Sequence, residues 1–172
     1  GGNSSFFTFF HGKAALQAVR FASAFFGKGQ FNSSELKKEG DSYILSQELW
    51  GPYYQPHDKK NIAPDGDWHK MPRIKRKQSE VQYLKSEVRI SEQEGKFKLH
   101  FSIKGTEHIP LAIELAFRSG GELKGVEAVP EIEQSFFLKS GYGSFQQEGE
   151  NIRFGPAIHK HKWTQLRGAK PK

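Results

Sequence analysis

Residues 96–118, KFKLHFSIKGTEHIPLAIELAFR, carry the clearest secondary-structure pattern in the chain. Apolar and polar residues alternate on both sides of a turn signal at residues 105–108, GTEH. A period of two sends successive side chains to opposite faces of a strand, whereas a helix would spread the same residues around its circumference. The pattern therefore predicts a β-hairpin whose core-facing residues are Phe97, Leu99, Phe101, Ile103, Leu111, Ile113, Leu115 and Phe117.

Further short strands separated by glycine-containing turns are predicted on both sides of this hairpin. They cover residues 42–50, 81–90, 122–129, 134–139, 144–147, 151–154 and 160–166, while residues 32–40 are predicted to form a loop. Residues 14–26 are compatible with a helix, but the alternation from Val19 and the crowding of adjacent Phe side chains favour a strand over 19–26. The chain is therefore predicted to be an all-β antiparallel β-sandwich, of jelly-roll or super-sandwich type, with a short N-terminal helix as the alternative.

Composition limits the possible functions without selecting one. The 172 residues are expected to form a single domain, 1–172, with a long irregular loop at 51–80. The absence of cysteine excludes disulfides and thiolate metal sites, and no apolar run is long enough for a membrane helix. The formal charge of +7 permits an anionic partner. Because the sequence starts Gly-Gly-Asn without Met, we interpret the chain as excised from a larger protein.

The first candidate site lies at the start of the irregular segment. Trp50, Tyr53, Tyr54 and His57 gather around GPYYQPH, a stretch stiffened by Pro52 and Pro56. Aromatic faces stack on the apolar faces of sugar rings, and phenol or imidazole groups bind hydroxyls or act as acid and base. The alternative interpretation is that these aromatic residues close one end of the core.

The second candidate is a basic run in the same segment. It comprises Arg73, Lys75, Arg76 and Lys77. Such a run binds phosphates or the sulfate and carboxylate groups of glycans, and its alternative is a solvated loop. No DNA- or RNA-binding signature accompanies it, so nucleic acid is not an expected partner.

The third candidate is the C-terminal segment, with His159, His161, Trp163 and Arg167. Two histidines two residues apart share one face of a strand and have the spacing of metal ligands. A third ligand would have to come from elsewhere, such as His57 or Asp58, and solvated surface histidines are the alternative. No metal or other cofactor is therefore predicted. Phosphate-binding loops, nucleophile elbows and His-Glu-x-x-His motifs do not occur in the sequence.

Residues 81–172 combine short strands, glycine turns and a basic, aromatic end, a texture seen in IPLAIELAFRSGGELKGV, FFLKSGYGSF and NIRFGPAIHKHKWTQLRGAKPK. This texture resembles the β-sandwich tail domains of bacterial polysaccharide-degrading proteins, the heparinase II/III-like lyases. In those lyases the catalytic Tyr and His come mainly from a helical toroid domain that this chain lacks. The resemblance therefore implies an extracytoplasmic, periplasmic or secreted, glycan-associated role and transfers no catalytic residue.

Three functional hypotheses follow. The first is a non-catalytic glycan-binding or accessory module. Its partners would be a polysaccharide, either neutral or anionic, and a neighbouring domain of the parent chain. The second is a polysaccharide lyase or other carbohydrate-active enzyme that uses Tyr and His for acid–base chemistry. The third is a purely structural domain, which would expose an apolar face toward its neighbour.

Overall fold

Antiparallel strands dominate the structure, a computed structural model that describes residues 5–23, 29–107, 109, 111–130 and 132–157, apart from the side chains of Tyr53, Arg73 and Ser79. The predicted all-β, sandwich-like class is confirmed. Within these ranges the only helical elements are single 3-10 turns at Lys59–Asn61, Trp68–Lys70 and Arg73–Lys75, so no helix there is long and apolar enough to cross a membrane. The strands are β1 (Phe7–His11), β2 (Ala14–Ser23), β3 (Glu35–Glu39), β4 (Ser42–Tyr54), β5 (Gln78–Gln93), β6 (Lys96–Gly105), β7 (Leu111–Phe117), β8 (Glu122–Lys124), β9 (Glu127–Ala128), β10 (Phe136–Phe137), β11 (Gly141–Gln147) and β12 (Glu150–Ala157).

Backbone contacts group the described residues into two units. The first contains residues 20–113 and holds a four-stranded antiparallel sheet of order β3-β4-β5-β6. The second contains residues 5–19 and 114–157. It holds the β1–β2 pairing, the sheet β12-β11-β8 and the short pair β10-β9.

The predicted hairpin of residues 96–118 is wrong in its pairing, although both strands exist. β6 pairs with β5, through a turn in which Glu94 and Gly95 have φ of 52° and 73°, whereas β7 belongs to the sheet β1-β2-β7. The reason lies at Gly105, whose φ is 144°. There the Thr106 N–H donates to the Tyr83 carbonyl at 2.8 Å and the Thr106 hydroxyl accepts from the Tyr83 N–H at 3.0 Å. These bonds hold the chain against β5 at the point where a hairpin would have turned back.

The inner face of the four-stranded sheet supplies the core of the first unit. Register brings Val88 opposite Phe101 and Ser86 opposite Ile103, and Leu84 and Val88 are fully buried. The Phe101 ring also lies 5.6 Å from that of Phe21, between centroids. This confirms the inner position of the middle of β6. The core prediction is wrong for three residues that are substantially exposed: Phe97 (42%), Leu111 (47%) and Ile113 (53%).

The core of the second unit is built around Phe117. Its ring stacks on Phe145 at 4.8 Å and contacts Phe154 at 4.9 Å. Phe145 is 2% exposed, and Leu16 and Val19 of β2 are also buried. The predicted inward position of Phe117 is consistent with these contacts.

Two errors of the sequence prediction concern strand boundaries. Residues 32–40, predicted as a loop, contain β3, whose sequence ELKKE is exposed at every position and shows no apolar alternation. It is an edge strand of its sheet, and charged residues are typical of such edges. The predicted strand over 122–129 is interrupted at Gly125, where φ is 72°, and forms β8 and β9 instead.

The remaining segments follow the prediction more closely. Residues 14–23 form a strand and not a helix, and β4 and β5 extend beyond the predicted ranges, so the irregular segment is 55–77 and not 51–80. Residues 24–28, which include the end of the predicted strand 19–26, and residues 158–172, which include the predicted strand 160–166, lie outside the described residues.

Candidate ligand-binding surface

The four-stranded sheet of the first unit has a polar face, which we call the outer face. Register places Glu48 of β4 opposite Lys85 of β5 and Ser46 opposite Glu87. Lys85 and Glu48 form an ion pair at 3.1 Å, and Arg89 pairs with Glu39 at the same distance. Strand alternation places these residues on the side opposite Leu84 and Val88. Charged groups therefore form a ladder along the outer face, although Ile44, opposite Arg89 on the same face, is buried.

An aromatic pair interrupts this charged ladder at the end nearest the irregular segment. Trp50 lies directly opposite Tyr83, and their ring centroids are 4.4 Å apart at an angle of 41°. Trp50 is 59% exposed, and nearby Val81 is 67% exposed. A tryptophan normally contributes a large buried area, so such exposure on a charged face is an informative exception. We call Trp50 and Tyr83 the aromatic platform.

Residues 55–77, which connect β4 to β5, are organised by short polar contacts. The Asp67 side chain accepts from the His69 N–H at 2.9 Å, and Asp65 accepts from the Asp67 N–H at 3.1 Å. Lys70 donates to the second oxygen of Asp65. These interactions fix successive turns of the segment around aspartate side chains, a common device in irregular backbone.

The Asp65 carboxylate gives a testable pH response. Its hydrogen bond from Lys70, followed by that from the Asp67 N–H, lowers its pKa below the ordinary value of 3.8. A lowered pKa favours the ionised form in the folded chain, so this stabilisation is present above the ordinary value and is lost as the pH falls through the folded value. We expect Lys70→Met to raise the midpoint of the Asp65 carboxyl titration, followed by NMR, while Lys60→Met leaves it unchanged. An unchanged midpoint in Lys70→Met would contradict the contact.

A second aromatic group forms around Arg76 and is called the Arg76 cluster: Tyr54, His57, Trp68 and Arg76. The guanidinium lies 4.8 Å from the Tyr54 ring centroid and 5.0 Å from that of Trp68. Arg76 is only 9% exposed. A planar, weakly hydrated guanidinium stacks on aromatic faces more readily than an ammonium does. Arg76 therefore connects the end of β4 to the middle of the irregular segment.

His57 contributes to the same cluster through its ring edge. Its centroid lies 5.4 Å from that of Trp68, with the planes at 72°. Both ring nitrogens are enclosed, and neither has a hydrogen-bond partner among the described residues. With its nitrogens enclosed, His57 makes an aromatic contact in this arrangement and presents no polar tip to a ligand.

Arg76→Ala should destabilise the folded chain by about 2 kcal/mol, because a nearly buried side chain that contacts two rings is lost. Arg76→Lys should restore little of this loss, since an ammonium cannot reproduce the planar stacking. Lys75→Ala and Lys77→Ala are matched controls, because both side chains are exposed and adjacent in sequence. Urea unfolding would measure all four variants. Equal midpoints for Arg76→Ala and the two controls would show that the cluster does not stabilise the segment.

The structure brings together only part of the predicted site. Tyr54, His57 and Arg76 meet in the Arg76 cluster, whereas Trp50 lies on the outer face with Tyr83. Lys75 and Lys77 are exposed. The side chains of Tyr53 and Arg73 are not described, and the C-terminal candidates lie outside the described residues: His159, His161, Trp163 and Arg167.

The sequence reasoning missed Trp68 and Tyr83. Tyr83 carries a usable signal, since it alternates with the apolar residues of the strand predicted at 81–90. Trp68 has no periodic neighbours, so its role emerges only from its contacts with Arg76 and His57. In the part of the chain that the structure describes, no group of three or more His, Asp or Glu side chains is arranged to hold a metal ion.

Comparisons with protein families, with curated proteins and with solved structures found no match to this chain.

Proposed function

We propose that this chain is a non-catalytic glycan-binding module of a larger polysaccharide-processing protein and that the aromatic platform is its binding surface. The observation that carries the proposal is the 59% exposure of Trp50 beside Tyr83 on a sheet face that also carries charged side chains. The apolar face of a pyranose ring stacks on an exposed indole, and the surrounding charged side chains supply hydrogen bonds to sugar hydroxyls. A polysaccharide partner outside the cell accords with a periplasmic or secreted location.

The rigidity of the platform supports this assignment. Trp50 and Tyr83 lie on adjacent paired strands, each within a long strand of the sheet. Two side chains already packed against each other lose little rotamer freedom when a ligand binds. A sugar stacking there would keep more of its interaction free energy than it would on a mobile loop.

A catalytic alternative receives less support from the same residues. Acid–base chemistry requires a side chain within hydrogen-bond reach of the substrate. The His57 nitrogens are enclosed, and the Tyr54 ring contacts the guanidinium of nearly buried Arg76. Both groups are better suited to supporting the irregular segment than to exchanging protons with a polysaccharide.

A structural role is the second candidate, and exposed apolar residues favour it. Leu111 and Ile113 are 47% and 53% exposed on β7, the last strand in the order β1-β2-β7. A neighbouring domain of the parent chain that packed there would cover them. This candidate predicts no glycan affinity at the aromatic platform.

Affinity electrophoresis through gels that contain neutral or acidic polysaccharides tests the proposal. We expect retardation in at least one gel and no unsaturated product by ultraviolet absorbance. Product formation would favour the enzyme, and the absence of retardation in every gel would favour the structural role.

A further inference from the structure

Two lysines face each other across the strands beside the aromatic platform. Lys85 of β5 is paired in register with Lys104 of β6, so both side chains share the outer face. Directly opposed residues have Cβ atoms about 4.5–5.5 Å apart, and like charges in this position are destabilising. An anionic group bound beside the two ammonium groups would offset repulsion of this kind.

The two lysines differ in how their charge is balanced. Lys85 pairs with Glu48 at 3.1 Å, and hydrogen bonding with Glu48, followed by the charges of Glu48 and Tyr83, raises its pKa. Lys104 is exposed, and no ion pair to it is present among the described residues. Of the two side chains, Lys104 is therefore the one whose charge is available to an external anion.

The distance between Lys104 and the aromatic platform is similar to the width of a sugar ring. Register places Tyr83 next to Lys85 in the adjacent outer-face row, so Tyr83 and Lys104 are diagonal neighbours. Such neighbours lie about 7–8 Å apart, within reach of a long side chain. A ring stacked on Trp50 would hold a substituent near the Lys104 ammonium.

We propose that Trp50, Tyr83 and Lys104 form a subsite for an acidic sugar, with Lys85 as the cross-strand neighbour of Lys104. The sugar ring stacks on the aromatic platform, and its carboxylate or sulfate binds the Lys104 ammonium. The inference rests on the proposed glycan-binding function and adds the ligand's charge class. It also assigns anion recognition to Lys104 and not to the basic run at residues 73–77, where Arg76 is nearly buried.

The same face disfavours a nucleic-acid strand. Carboxylates interleave with its cations along β3, β4 and β5: Glu35, Glu39, Glu48 and Glu87. A phosphodiester backbone carries a charge at every nucleotide, so it would meet these carboxylates as well as the lysines. A glycan with one anionic group among many hydroxyls fits the mixed face better.

The test compares Lys104→Gln with Lys98→Gln, which lies on the same side of the same strand and removes the same charge. The probes are polygalacturonate, dextran sulfate and unsubstituted dextran, in affinity electrophoresis. We expect Lys104→Gln to weaken binding of an acidic probe roughly fivefold, as an exposed ion pair would. Lys98→Gln should change it less than about twofold. A loss with polygalacturonate alone identifies a carboxylate, and a loss with both acidic probes identifies any anionic substituent.

Trp50→Ala separates failure of this inference from failure of the proposed function. If Trp50→Ala weakens binding while Lys104→Gln and Lys98→Gln are indistinguishable, the platform binds glycans without the lysine subsite. If no probe binds to the unaltered chain, both proposals fall. Tight Lys104-dependent binding of a single-stranded oligonucleotide, in place of the acidic polysaccharides, would also overturn the inference.

Discussion

Gly105→Ala should lower the free energy of unfolding by at least about 3 kcal/mol, the largest stability effect we expect from a single methyl group in this chain. A Cβ at this position would lie 2.1 Å from the Tyr83 carbonyl oxygen, and the backbone φ of 144° is one that L side chains rarely adopt. Relief of the contact requires Gly105 to move away from β5. The Thr106 N–H bond to the same carbonyl, at 2.8 Å, would then lengthen or break.

Gly95→Ala is the matched control for this prediction. Gly95 also has a positive φ, 73°, but nothing lies within 4 Å of a Cβ built there. It should therefore lose about 1 kcal/mol from backbone strain alone. Urea or thermal unfolding followed by circular dichroism would measure both variants. Equal losses would mean that the close approach of Gly105 to Tyr83 does not exist in solution.

Trp50→Ala should weaken glycan binding roughly 30-fold, about 2 kcal/mol, if the platform is the centre of the binding surface. The change removes the largest exposed ring on the outer face and leaves Tyr83 without its partner at 4.4 Å. Stability should fall by less than about 1 kcal/mol, because the ring is 59% exposed. Affinity electrophoresis against the best-bound polysaccharide would measure the loss.

Tyr43→Ala provides the control, since Tyr43 is another exposed aromatic residue of the same strand, 47% exposed and on the opposite face by alternation. Its glycan affinity should match that of the unaltered chain. Equal weakening in both variants would point to a general effect on β4 and not to a site at Trp50.

The strand content was predictable because alternation is a local signal. Alternation in residues 97–103 predicts two faces from sequence alone, and the structure places the middle of this stretch on the inner face as predicted. Residues 81–90 form a strand as predicted. The absence of a β6–β7 hairpin was not predictable in the same way. It depends on the close approach of Gly105 to Tyr83 at the end of β6, two residues that no short sequence pattern connects.

The candidate surface was predictable only in part for a similar reason. The aromatic and basic composition of residues 50–77 drew attention to Trp50, Tyr54, His57 and Arg76. Sequence could not distinguish their environments, because the burial of Arg76 depends on Trp68 and the exposure of Trp50 depends on the register with β5. Register is a property of two strands together, and a shift of one residue would have turned Trp50 to the inner face.

The most direct measurement of the central proposal is an NMR titration of the unaltered chain with an oligosaccharide of the best-bound polysaccharide. We expect the largest shift changes at the Trp50 indole and at Tyr83, with smaller changes at Lys85 and Lys104 on the same face. Changes confined to inner-face positions such as Tyr43 and Phe97, or to the Arg76 cluster, would contradict the proposal.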